Sequence, residues 1–184
     1  MNNNINIPKF LHEFHGEKSN WTDILSIHLI ALAVTIISLM LVSDMGLALW
    51  QTCLLAILAY DLAGGVVANF SYSTNLYYDY SMKRRIVFLS LHFLQPVALL
   101  LVFPAYYAEI LIFSAIIVFG AFAINAIKQP QKQLVYGVVI CLFGIVMLQS
   151  GYIELFPALR LLFVIFFLKL PLSFSIRWYR LNTF

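Results

Sequence analysis

Six long apolar runs divide this chain, and polar residues fall between them or at a few isolated positions inside them. The runs cover residues 21–42, 46–69, 86–103, 107–127, 134–149 and 158–178. A helix crossing the hydrocarbon core of a bilayer needs about 20 apolar residues, fewer where neighbouring helices shield its ends. The pattern therefore predicts an all-α, polytopic integral membrane protein, a compact bundle of six transmembrane helices. The fifth run is the shortest, so it is expected to be tucked among the others. Residues 1–20 then form an N-terminal segment, 21–178 the transmembrane domain and 179–184 a C-terminal tail. Ile7, Phe10, Leu11 and Phe14 recur at helical spacing, which suits a short amphipathic helix on the membrane surface. A frayed tail accounts for the same segment equally well.

Composition agrees with this class. Hydrophobic residues make up 62% of the chain and charged residues 10%, with a mean hydropathy of +0.91. A soluble domain carries about 25% charged residues, so this chain cannot cover itself with a solvated surface. Cys53 and Cys141 lie inside apolar runs without CxxC or Cys/His ligand spacing and read as small hydrophobes. No basic groove-forming stretch is present, which excludes nucleic acid as a partner. Residues 1–20 lack the basic start, short apolar core and cleavage site of a signal peptide, so the segment is expected to be retained.

Charge in the connections orients the bundle. Lys9 and Lys18, then Lys83, Arg84 and Arg85, then Lys128 and Lys132, and finally Arg177 and Arg180 fall on one side. Asp44, Glu109 and Glu154 fall on the other, with Arg160 as the one basic residue near them. The positive-inside rule then puts both termini in the cytoplasm. The asparagine- and isoleucine-rich start suits an AT-rich bacterial genome, and the expected location is a bacterial cytoplasmic membrane.

A second pattern appears when positions are converted to depth at about 1.5 Å per residue. His28, Asp61, His92 and Lys169 each fall roughly 10–12 Å from the cytoplasmic boundary, on four different helices. Asp61 shares its helical face with Gly64, Gly65 and Ala68; His28 with Ala31, Thr35 and Ser38; Lys169 with Ser173. Each ionisable residue thus lies on a small or polar face, the side that points inward. Pro96 and Pro171 cannot donate to the carbonyls of His92 and Phe167, which leaves acceptors free for a proton, cation or ligand donor close to the same layer.

Two readings of the layer follow. In one, Asp61 and Lys169 form a purely structural pair and the histidines are satisfied locally. In the other, the layer is a working site, as intramembrane ionisable residues often are, with His28 and His92 able to change protonation near neutral pH. His28, His92 and Asp61 also have the donor chemistry of a zinc or iron site, although no HExxH spacing supports it and no cofactor is required.

Residues 70–85 read as a polar-aromatic loop. Its tyrosines suit an interfacial belt, and Lys83, Arg84 and Arg85 suit anionic phospholipid head groups. Asn69, Ser73, Thr74 and Asn75, with Asn125 and Gln95, are candidates for a polar ligand-binding mouth beneath Asp61. The chain contains no GxSxG, Walker A or GxGxxG pattern. The leading expectation is a membrane transport or ligand-binding protein with a cytoplasm-facing pocket, in which Asp61, His92, His28 and Lys169 relay a proton. The alternative is a membrane-embedded enzyme acting on a lipid or small amphiphile, with Asp61 and His92 as acid/base or metal-ligating groups. Partners beyond the bilayer are a small-molecule or lipid ligand, and a second copy or a membrane subunit.

Overall fold

The computed structural model describes residues 4–181. The chain begins with strand β1 (Asn4–Asn6), a 3₁₀ turn, the one-turn helix α1 (His12–His15) and strand β2 (Lys18–Asn20), which pairs antiparallel with β1. Helix α2 (Trp21–Leu41) follows at once, because Asn20 is a good N-cap. Its side chain accepts from the Asp23 amide at 2.7 Å and donates to the Asp23 carboxylate at 3.0 Å. Then come α3 (Leu49–Phe70), α4 (Tyr72–Asp79), α5 (Met82–Leu91), α6 (Leu94–Val102), α7 (Tyr107–Ala126) and α8 (Pro130–Gln149). The chain closes with α9 (Pro157–Phe167), a π-helical continuation over Leu168–Phe174, and α10 (Trp178–Leu181). Among the described residues, six helical spans are long and apolar enough to cross a membrane: α2, α3, α5 with α6, Pro104–Ala126, α8, and Pro157–Phe174.

The sequence pattern misplaces several boundaries. Helix α8 begins at Pro130 rather than Leu134, and the last span ends at Phe174 rather than Trp178. The last span, and not the fifth, is therefore the shortest and most enclosed. Residues 70–85 are not a loop. Ser71 and Ser81 each accept an amide hydrogen bond as N-caps, from Thr74 and Arg84, and so start α4 and α5. The third span therefore begins at Met82 rather than Ile86. It also breaks in the middle, where the His92 and Phe93 amides bond back only three residues, to Leu89 and Ser90. Pro96 removes the ordinary donor to the His92 carbonyl, and the Gln95 amide takes that carbonyl instead at 3.4 Å. The expectation of a free acceptor at His92 is thereby corrected.

The last span is the hub. It is 67% buried, against 22% for α2, and it packs on α2, α3, α7 and α8. Phe163, Phe166, Phe167 and Phe174 lie fully inside. Close approach depends on small residues: a Cβ on Gly144 of α8 would run into the Phe167 ring. At the opposite end from Asp44, Glu109 and Glu154, α4 collects both ends of the chain, since α1 and α10 pack on it. The Thr74 hydroxyl donates to the Phe14 carbonyl at 3.1 Å and the Tyr78 hydroxyl to that of Glu13 at 3.2 Å. Residues 4–20 are thus folded onto the bundle.

Candidate functional site

Helix α3 carries an acid in an apolar span, and the bundle gives it one cationic partner. Lys169 Nζ lies 2.7 Å from Asp61 Oδ2 and 3.1 Å from the Asp61 carbonyl. Gly65 makes this possible, because a side chain there would occupy the space of the Lys169 methylene stem. The Gln95 amide nitrogen, from α6, donates to the same Oδ2 at 2.7 Å. Burial divides the pair unequally. The Lys169 side chain is 2% exposed and the Asp61 side chain 46%. The carboxylate is therefore the end of the pair that a ligand can reach.

What it reaches into is a groove in two compartments that share Glu13, Phe14, Ile57 and Asp61. The first, about 340 Å³, runs between α3 and the broken third span and is lined by Asp61, Gln95, His92 and a run of leucines. The second, about 640 Å³, lies over α2 and α3 and is lined by Asp61, Tyr60, His28 and His15. Phe14 separates them, its ring seated against Gly64, where a Cβ would come within 2.8 Å of it.

His92 sits at the α5–α6 break, with its ring 4.4 Å from Phe88. The Phe88 carbonyl accepts from Nδ1 at 2.7 Å. Nε2 is buried and has no hydrogen-bond partner among the described residues, and the same holds for Gln95 Oε1. His28 is not part of this cluster. It bonds the Tyr60 hydroxyl through Nδ1 at 2.5 Å and lies 5.2 Å, ring to ring, from His15. With the two candidate histidines in separate compartments, the set His28, His92 and Asp61 does not converge. Among the described residues no three His, Cys, Asp or Glu side chains come together around one ion.

The proposed polar mouth has a different occupation. Asn69 donates to the Lys169 carbonyl and the Ser173 hydroxyl, both at 3.4 Å. Asn75 donates to the Ile176 carbonyl at 3.3 Å and accepts from the Tyr179 amide at 3.1 Å. Asn125 accepts from Arg85 Nε at 2.5 Å. Thr74 holds α1, and Ser73 packs against Gly16 beside a surface cavity bounded by Tyr72 and Tyr80. Arg85, expected at the head groups, is 1% exposed. It donates to the Phe174 carbonyl at 2.6 Å and lies 4.6 Å over the Phe174 ring. Lys83 and Arg84 remain at the surface. The corrections at Asn69, Asn75 and Arg85 share one cause. The π-helical turn at Pro171 leaves carbonyls that no backbone amide of an ordinary helix can take, and side chains from α3, α4 and α5 supply the donors.

Three groove residues escape the sequence pattern. Tyr60 lies four residues before Gly64, on a face already marked by small residues, so helical phase contains its signal. Glu13 and His15 have none, because only the reversal through β2 brings them to α3. Burial, with His28 next to it, pushes the His15 imidazole below its ordinary value. At the same end, burial lowers Arg177, reinforced by Arg180 and opposed by Asp79. Asp79 lies 3.6 Å from Arg177 Nε and 2.9 Å from Arg180 Nε. Compared with known proteins, the chain matches no family model, no curated relative and no solved structure.

Proposed function

We propose that this is a membrane ligand-binding or transport protein whose groove along α3 takes an amphipathic small molecule or lipid. The observation that carries the reading is the asymmetry of the ion pair: Lys169 is enclosed, while the Asp61 side chain is 46% exposed, in a groove that apolar side chains line together with a few polar ones. A pair kept only for packing gains nothing from holding its carboxylate open, since charge at membrane depth is costly. Ile57, Leu91 and Leu94 line the groove and are themselves exposed on the outer face, so an acyl chain can enter sideways from the lipid. Asp61 and His92 would then exchange a proton or balance the ligand's charge. The basic residues at the end that bears the termini support a cytoplasmic placement of that end in a bacterial inner membrane.

The test is photolabelling of reconstituted protein with a photoreactive long-chain probe. Labelling concentrated on α3 and α6 around Ile57 and Leu94 is expected, with competition by unlabelled amphiphile. Labelling spread evenly over the outer faces of α2 and α8 would sink the reading. For transport, flux in proteoliposomes should disappear in Asp61→Asn/Lys169→Gln, a double variant that removes both charges together. The alternative, an enzyme acting on a lipid, draws on the unpartnered His92 Nε2 beside Asp61, the kind of pair that general acid/base catalysis uses. Release of product from a labelled phospholipid by the reconstituted protein would favour it.

A further inference from the structure

The open hydrogen-bonding positions of the first compartment all have the same sign. Asp61 is ion-paired, and a carboxylate only accepts. Gln95 must point its nitrogen at that carboxylate, which turns Oε1, an acceptor, away from it. That oxygen is buried, has no partner, and belongs to a residue 7% exposed. His92 must carry its proton on Nδ1, because the Phe88 carbonyl can only accept. Its Nε2 therefore presents a lone pair, again buried and unpartnered, on a residue 5% exposed. One cavity is thus lined by three residues whose unfilled positions are a carboxylate oxygen, an amide oxygen and an imidazole nitrogen, the last two buried at its wall, and none of the three residues has a free donor. Buried acceptors without partners are costly, so the complement they fit is a group with several hydrogens to donate.

From this we infer that the head group taken by the groove is a primary ammonium carried on an apolar chain; the inference rests on the groove being a ligand site. A primary ammonium offers three N–H donors and nothing to accept, matching three acceptors that offer nothing to donate. Charge points the same way. The Asp61–Lys169 pair sums to zero, and Glu13 lines the mouth of the compartment, so the lining carries an excess negative charge. A carboxylate or phosphate head would bring only further acceptors. The leucines and Ile57 between Asp61 and the lipid face accommodate the chain.

The test compares four probes with identical dodecyl chains on the full-length protein in lipid nanodiscs at neutral pH: dodecylammonium, dodecyltrimethylammonium, dodecanol and dodecanoate. Dodecylammonium is expected to bind at least about tenfold tighter than its trimethylated analogue, which keeps the charge but has no N–H to donate. In Gln95→Met and His92→Phe that advantage should shrink to about threefold or less. The wild-type comparison stands even if either variant fails to fold. Equal binding of the two cations, or tightest binding by dodecanol or dodecanoate, overturns the ammonium assignment and leaves the groove as a ligand site. If none of the four binds, both fall.

Discussion

Lys169 belongs to two polar regions that treat their buried acceptors in opposite ways. Its ammonium enters the α3 groove, where Asp61 is half open and Gln95 Oε1 and His92 Nε2 have no partner. Its carbonyl begins a series of acceptors running to Ile176, and there side chains fill the gaps. Asn69 and Ser173 take the Lys169 carbonyl, Ser175 that of Leu170, Trp178 that of Ser173, Arg85 that of Phe174 and Asn75 that of Ile176. Apolar surroundings give no water to complete a polar group, so an enclosed group is either bonded by protein or left at a cost. The carbonyl series shows the bundle meeting that requirement for five acceptors between Lys169 and Ile176 with a distorted helix, although Arg85 Nη1 among the donors has no partner among the described residues. One side chain away it is acceptors that lack partners, Gln95 Oε1 and His92 Nε2, on residues that line a groove with a half-exposed carboxylate, and that combination sets the groove apart.

That contrast can be broken by substitution. The largest effect is expected for Asp61→Asn, which strands a fully buried ammonium and should cost about 3–5 kcal/mol, as removal of one member of a buried pair does. Chemical unfolding in detergent measures it. The double change Asp61→Leu/Lys169→Leu should recover most of that stability yet abolish groove binding; a double variant that still binds ligand would make the pair purely structural. Arg85→Met comes next. It leaves the Phe174 carbonyl buried without its donor, a loss of about 1–3 kcal/mol, while affinity in the groove should stay unchanged. A loss of affinity without a loss of stability would mean that the two regions are not separable. Asn75→Ala should behave likewise at about 1 kcal/mol. The smallest effect concerns the cover of the groove. Because His15 is held below its ordinary value of 6.5, its folded form binds fewer protons than its unfolded form between the two values. Its contribution to docking α1 is complete above pH 6.5 and is lost as pH falls through the folded value. Hydrogen exchange of the α1 amides should therefore speed up on acidification, with His28, Tyr60, Glu13 and Asp61 the groups facing that contact. A His15→Phe variant should lose the pH dependence.

How far the chain alone could be read varies along it. The apolar runs were legible because spanning a bilayer is a local requirement, met by about 20 consecutive residues whatever lies beside them. The positions of Asp61, His92 and Lys169 along their helices were legible for the same reason, since rise per residue is fixed. The break in the third span was signalled by Pro96, yet the carbonyl it frees was reclaimed by Gln95, three residues on. Asn69, Asn75 and Asn125 look like ligand contacts in a linear reading because polar residues near an intramembrane acid have two uses, and only their neighbours distinguish them.

Six apolar spans were settled by residue order and helical geometry, which also fix the spacing of each ionisable residue along its own helix. The tertiary structure decided everything that depends on azimuth and on contact between distant segments. It put the final span at the centre, brought Asp61 and Lys169, a pair the sequence already suggests, to 2.7 Å, sent His28 to His15 rather than to His92, and drew Arg85 inward. The physical reason is that a helix determines the height of each side chain by itself. Which side chain stands opposite is chosen by packing, through small residues such as Gly65 and Gly144 and through carbonyls that need a donor.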